Sequence, residues 1–151
     1  MLKLSRKTLL ALEAVIDIAF NGRPEPVQAK EITARQGVPQ RYLEQVMQQL
    51  VRAGVLKGVR GPRGGYRLAK ERRRITVGEV VRVAESLDDG EDVEKIAPHS
   101  DLGARIVMPL IARLQDDVME KLDAISIEDL CARAREAGVD CGGGAAADFT
   151  I

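Results

Sequence analysis

A break at Gly37-Val38-Pro39, set between two stretches of helical periodicity and followed downstream by a glycine-rich turn, leaves this chain few ways to fold. Gln28 to Gln36 reads as a short helix carrying Ala29, Ile32 and Thr33. From about Gln40 to Ala53 a second helix puts Leu43, Val46, Met47, Leu50 and Val51 on a buried stripe, and leaves Gln40, Arg41, Glu44, Gln45, Gln48, Gln49 and Arg52 outside. Gly54 ends it. Val55-Leu56-Lys57-Gly58-Val59-Arg60 and Tyr66-Arg67-Leu68-Ala69 then read as two short strands joined by Gly61-Pro62-Arg63-Gly64-Gly65. Helix, turn, helix and hairpin in this order are the pattern of a winged helix-turn-helix.

The flanking segments complete a mainly α chain. Leu4-Ser5-Arg6-Lys7-Thr8-Leu9 has the form of a helix start, with Ser5 as N-cap and Leu4 packing on Leu9. Leu9, Leu12, Val15, Ile16 and Ala19 follow at helical spacing until Asn21-Gly22 caps the end. Arg23-Pro24-Glu25-Pro26 cannot continue a helix, because proline lacks a donor and biases its predecessor toward extended backbone. Beyond the hairpin, Lys70-Glu71-Arg72-Arg73-Arg74 continues the basic surface. Thr76-Val77-Gly78-Glu79 is a capping box for a helix through about Ser86, packed by Val80, Val81, Val83 and Ala84. From Leu87 to Asp101 the composition turns acidic, broken by Gly90 and Pro98. Val107, Ile111, Leu114, Val118, Leu122 and Ile125 then recur every three to four residues, a stripe suited to packing along another helix. Pro109 either sits in the first turn of that helix or kinks a longer one beginning near Asp101. Ser126-Ile127-Glu128-Asp129 caps a last helix to about Ala137. The organisation expected is a winged helix-turn-helix domain with a two-stranded wing over 1–86, an acidic flexible linker over 87–100, a helical dimerisation region over 101–137, and a disordered Gly/Ala-rich tail over 138–151.

A net charge of zero conceals an asymmetry. Residues 1–83 carry 17 Lys and Arg against 7 Asp and Glu, and residues 84–151 carry 6 against 16. The densest stretch, Pro39 to Arg74, sets ten basic residues against Glu44 and Glu71, the electrostatic footprint of a polyanion-binding surface, although a solvated charged face has the same composition. The exposed positions of the second helix are rich in amides and arginine, groups able to make two hydrogen bonds to a purine edge. In the hairpin, glycines permit positive φ and close approach of the backbone to a partner, and Arg60, Arg63 and Arg67 surround the tip, which suits phosphates or a narrow minor groove. The spacing and lysine of a P-loop are absent.

Other function classes find less to build on. With one histidine, no serine or cysteine visibly paired to it and no metal-ligand spacing, an enzyme has no starting constellation. A winged-helix protein-interaction module is the remaining alternative, since such domains bind proteins through the same faces. No apolar run approaches a membrane span, the basic N-terminus has no signal-peptide core behind it, and Cys131 and Cys141 alone make no disulfide framework, so a cytoplasmic location is expected.

These residues resemble the Rrf2 family of winged-helix transcriptional regulators over roughly residues 1–137. The resemblance is carried by Leu2-Lys3-Leu4-Ser5, by Gly37-Val38-Pro39-Gln40-Arg41-Tyr42-Leu43-Glu44-Gln45-Val46, and by Val59-Arg60-Gly61-Pro62-Arg63-Gly64-Gly65-Tyr66-Arg67-Leu68. Ile75-Thr76-Val77-Gly78-Glu79-Val80-Val81 and Ile125-Ser126-Ile127-Glu128-Asp129-Leu130 match as well. It implies a homodimer held by the long C-terminal helix through Val107, Ile111, Leu114, Val118 and Leu122, with each subunit on one half-site of double-stranded DNA. The DNA-contacting positions implied are Pro39, Gln40, Arg41, Tyr42, Glu44 and Gln45 on the recognition helix, and Arg60, Gly61, Arg63, Gly64, Gly65 and Arg67 on the wing, with Arg60 entering the minor groove. Glu44 either accepts from a cytosine amine or forms a helix-surface salt bridge. Several family members hold an iron-sulphur cluster on three cysteines before the long helix. The corresponding window here, Asp88 to Arg105, contains none, so no cluster or other cofactor is expected. His99 in that window reads as an exposed loop residue, Cys131 and Cys141 as structural or incidental, and the effector as an unknown protein or small molecule.

Overall fold

Ser5 starts α1 (Arg6–Phe20) as expected, its Oγ accepting from the Thr8 N–H at 3.2 Å. The structure, a computed structural model, describes residues 5–21, 25–86 and 99–139. Leu4, Gly22, most of the acidic linker and all but the first two residues of the tail, on which several sequence expectations fall, lie outside them. α1 is the central helix, with Leu10, Ala11, Ala14, Val15, Ile18 and Ala19 buried. Leu9, expected on the core face, is exposed instead. The run Leu9-Leu10-Ala11-Leu12 is apolar all round, so spacing alone leaves the buried face open, and the packed face is the one that includes Thr8 and Ala11.

α2 (Ala29–Gln36) begins at Gln28, whose N–H donates to Glu31 Oε2 at 2.8 Å in a capping box, and ends at Gly37 in the left-handed conformation (φ 68°). Pro39 then caps α3 (Gln40–Arg52), which buries Leu43, Val46, Met47 and Leu50. The wing pairs β1 (Leu56–Val59) with β2 (Gly65–Leu68) antiparallel, in the register Leu56↔Leu68, Lys57↔Arg67, Gly58↔Tyr66 and Val59↔Gly65. Val27 adds a one-residue bridge to the other edge of β2, exchanging bonds of 3.0 and 2.8 Å with Tyr66. That bridge fastens the loop before α2 to the wing.

A single 3-10 turn (Arg72–Arg74) leads to α4 (Val77–Glu85). Thr76 caps it, but the expected box is half made: Thr76 Oγ1 accepts from the Glu79 N–H at 3.1 Å, while the Glu79 carboxylate pairs with Lys70 at 2.7 Å. A π-helical turn (Gly103–Val107) precedes α5 (Met108–Asp123). Pro109 accounts for the wide turn: it cannot donate to the carbonyl four residues back, and its ring would clash there in a regular α-turn. α5 crosses α4 closely at Gly78, where an added Cβ would lie 1.9 Å from Asp123 Oδ1. Arg82 donates to both oxygens of Asp123 at 2.7 and 2.6 Å, which holds that carboxyl's pKa below its usual range.

α6 (Ile127–Glu136) starts from a capping box of Ser126 and Asp129. Sequence reading grouped it with the helical extension, yet it packs on α1 and on the 3-10 turn, with Ile127 and Cys131 fully buried in the same core as Leu43 and Leu50. Ile127 N–H donates to Ile75 and Val77 N–H to Ile125, both at 2.8 Å, so the two distant segments are laced by backbone.

Candidate nucleic-acid interface

The turn at Gly37 and the four fully anchored side chains of α3 fix which face of that helix looks outward. Pro39, Gln40, Arg41, Gln45, Gln48 and Arg52 are exposed there. Glu44 is half-buried and accepts from Gln40 Nε2 at 3.0 Å, so within the chain its partner is an amide and not a cation. Tyr42, named from the sequence as a contact, is half-buried against the core, which makes its ring partly structural. Tyr66 lies near Glu44; burial, and then that carboxylate, push its hydroxyl's pKa up.

The wing tip, Arg60 to Arg63, is exposed. Gly61 adopts φ 112° and accepts from the Gly64 N–H at 2.8 Å, a turn that L side chains resist. Gly64 and Gly65, read from the sequence as allowing close approach of a partner, also have a need for glycine within the chain. A Cβ at Gly64 would lie 2.2 Å from Val59 O, and one at Gly65 would lie 2.4 Å from Val27 O. Lys57 and Arg67 are opposite each other in the strand register, and both are exposed.

The basic run after the wing contributes less than its charge suggests. Lys70 pairs with Glu79 and Arg73 with Glu71, while Arg72 turns inward to Glu128 and to the carbonyl of Ala19. Outside those pairs the exposed cations of this stretch are Arg41, Arg52, Lys57, Arg60, Arg63, Arg67 and Arg74.

A second surface lies on α5, which buries no residue of its own. Of the five positions expected to form a seam, Val107, Leu114 and Val118 are exposed, while Ile111 and Leu122 are half-buried within the single chain. Sequence reading missed Leu102, Ile106 and Leu110, which join Leu114 and Val118 in a row of every fourth residue, 37% to 69% exposed. For Leu102 and Ile106 the π-helical turn supplies the reason, since its extra residue per turn shifts the phase of everything before Met108; Leu110 lies within α5 itself. No helix among the described residues is long and apolar enough to cross a membrane.

Comparison with known proteins follows this geometry. The model of the Rrf2 family, described as an iron-dependent transcriptional regulator, matches residues 4–133. The HTH-type transcriptional regulator IscR of Vibrio atlanticus is 43% identical over 88 residues, 58% of this chain and 51% of that protein, so the match spans about half the relative's length. IscR of Vibrio campbellii is 33% identical over 132 residues, 85% of this chain and 77% of the relative. Among solved structures, CymR, the global cysteine regulator of B. subtilis, superimposes with a TM-score of 0.70 at 33% identity, covering 88% of this chain and 98% of that one. IscR of T. potens does so with a TM-score of 0.71 at 33% identity, covering 92% and 93%. With a family model running from the start of α1 into α6 and relatives aligned across the same elements, the chain belongs to the Rrf2 family of transcriptional regulators.

Proposed function

We propose that this chain is a sequence-specific DNA-binding regulator that acts as a homodimer on a pseudo-palindromic operator and represses by occupying it. The observation that carries the reading is the exposed amide- and arginine-rich face of α3, Gln40, Arg41, Gln45 and Gln48, on a helix that packs against β1 of a wing whose tip exposes Arg60 and Arg63. In this reading the α3 side chains meet base edges in the major groove, with Glu44 accepting from a cytosine amine while Gln40 steadies it, Arg60 enters the minor groove, and Arg63 and Arg67 meet phosphates. The apolar row on α5 favours a second copy, because an identical row closes it about a two-fold axis and sets the two recognition helices on half-sites about one or two helical turns apart. A cytoplasmic location goes with that role.

The family description carries iron, and the residues of this chain do not fit an iron-sulphur cluster. A cluster needs about four ligands, usually cysteine thiolates, and the chain has two cysteines. Cys131 is fully buried in its own subunit's core, where burial pushes the thiol pKa up and keeps it protonated at neutral pH. His99 is exposed, and among the described residues no three His, Cys, Asp or Glu side chains are grouped to hold a metal ion. The signal is therefore read as another small molecule or a protein.

Fluorescence anisotropy on duplexes recovered by genome-wide mapping, with light scattering of the complexes, tests the reading. Two chains per duplex and a preference for mapped sites over scrambled ones are expected. Equal binding to all duplexes, or one chain on the tightest site, would refute it.

A further inference from the structure

A cavity of about 440 Å³ opens between the C-terminal half of α1, the end of α2 and the end of α6, and none of its lining residues belongs to α3 or the wing. Its volume lies within the roughly 300–1,000 Å³ range of small-molecule sites. Ile16, Phe20, Ala134 and Val139 give it an apolar wall. Its polar groups are unevenly satisfied. The buried Asp17 carboxylate is saturated: Arg35 donates through Nε and Nη2 at 2.8 and 2.6 Å, Asn21 Nδ2 at 3.2 Å and Gln36 Nε2 at 3.4 Å. Because Asn21 Nδ2 also donates to the Asp17 carbonyl at 3.0 Å, the amide's orientation is fixed, and its Oδ1 is left buried with no donor among the described residues. A buried acceptor without a donor is unfavourable unless a ligand or water supplies one. Arg35 uses Nε and Nη2 on Asp17 and keeps Nη1 for another acceptor. At the rim Glu13 is exposed, without an ion pair among the described residues.

We infer that this cavity binds a free α-amino acid with an apolar side chain. Its ammonium donates to Asn21 Oδ1 and faces Glu13, its carboxylate accepts from Arg35 Nη1, and its side chain lies on Ile16, Phe20, Ala134 and Val139. Asn21 and Arg35 meet at Asp17 Oδ1, so an acceptor and a cation stand side by side in a cavity with an apolar wall, as the adjacent ammonium and carboxylate of such a zwitterion require. The consequence for DNA rests on the function proposed above: Asp17 on α1 holds Arg35 on α2, α2 leads through Gly37 into α3, and a ligand carboxylate on Arg35 alters how α2 is held. Binding to the free protein does not rest on it.

Isothermal titration of the full chain without DNA, using L-leucine and L-phenylalanine, tests the site. Saturable binding of one molecule per subunit is expected, at least tenfold weaker for N-acetyl-leucine, which lacks the ammonium, and for leucinamide, which lacks the carboxylate. Ala134→Phe fills the cavity from α6, leaves Asp17 and Arg35 themselves unsubstituted and abolishes binding, while Asn21→Ala weakens it at least tenfold; thermal melting confirms that each is folded, with Phe20→Ala as a second cavity variant. Absence of binding by both amino acids, as when residues 140–151 or a second copy fill the cavity, overturns the inference, and so does parental affinity in Ala134→Phe. Leucine must then change DNA affinity by the factor by which DNA changes leucine affinity. Leucine bound with DNA affinity unchanged overturns the regulatory role, whereas leucine binding by a chain that binds no DNA sinks the operator reading and leaves the site standing.

Discussion

Asp17, with its side chain 4% exposed, is a carboxylate held almost wholly out of water, and its cost is offset by the two-pronged bond from Arg35. That bond also raises the Arg35 pKa, so the guanidinium stays charged at any working pH. Removing the arginine strands the charge: Arg35→Ala is expected to destabilise the fold by roughly 2–4 kcal/mol, somewhat under the penalty for breaking a fully buried pair because Arg35 is partly solvated. A urea midpoint equal to the parent's would show that Asp17 finds other partners. Cys131 makes the opposite use of burial. Its raised pKa keeps the thiol protonated through neutral pH, and the core shields it, so alkylation of Cys131, followed by peptide mass spectrometry, should appear only as the protein unfolds. Rapid labelling in the native state would show that α6 opens. On the wing, Arg60→Ala should weaken specific DNA binding by about 1–3 kcal/mol, while Arg63→Ala should flatten the dependence of log affinity on log salt by about one unit. Anisotropy across a salt series separates the two effects, and parental curves for both would take the wing off the DNA.

Elements were legible in this sequence wherever a local rule had one solution. Ser5, Gly37, Gly54, Thr76 and Ser126 mark helix ends because capping and left-handed turns need few residue types, and the strands and helices fall within a residue or two of where those marks put them. What stayed hidden was decided by contacts between distant residues. Leu9 loses its place in the core to Leu10, Arg72 turns inward to Glu128, and Gly64 and Gly65 serve the chain's own backbone through Val59 and Val27. The outward face of α3 was legible as a polar stripe, but the Gln40 bond to Glu44 and the half-burial of Tyr42 were not. On α5, Pro109 announced an irregularity without giving its form, and the π-helical turn it favours brings Leu102 and Ile106 into line with Leu110, Leu114 and Val118. A charge in the middle of that row should separate the copies and leave the subunit folded, since Leu110 is already exposed in the single chain. Leu110→Glu is expected to sediment as a monomer with parental circular dichroism and to bind its operator at least tenfold more weakly. A variant still dimeric would move the interface elsewhere.

Across the whole molecule, the acidic half is not simply a counterweight to the basic one. Asp123 pairs with Arg82 and Glu128 with Arg72, so acids from α5 and α6 neutralise cations outside α3 and the hairpin, whose own basic residues Arg41, Arg52, Lys57, Arg60, Arg63 and Arg67 are exposed. Of these two helices α6 completes the core, through Ile127 and Cys131, so the core of the fold is not contained in residues 1–86. Ile127 is fully buried, worth about 1.5–3 kcal/mol by the area it removes from water. The backbone bonds Ile127 to Ile75 and Val77 to Ile125 add roughly 0.5–1.5 kcal/mol each. Against a total stability of about 5–15 kcal/mol for a domain, losing these together leaves little margin. A fragment ending at Ser86 should therefore show a broad, low thermal transition, and should gain a sharp one only when the chain through Val139 is restored. Ile127→Ala in the full chain isolates the packing part, with an expected loss of about 2–5 kcal/mol in chemical denaturation and no change in the identity of the sites bound. If the fragment melted as sharply and as high as the full chain, α6 would be an appendage, and the boundary suggested by sequence composition would hold after all.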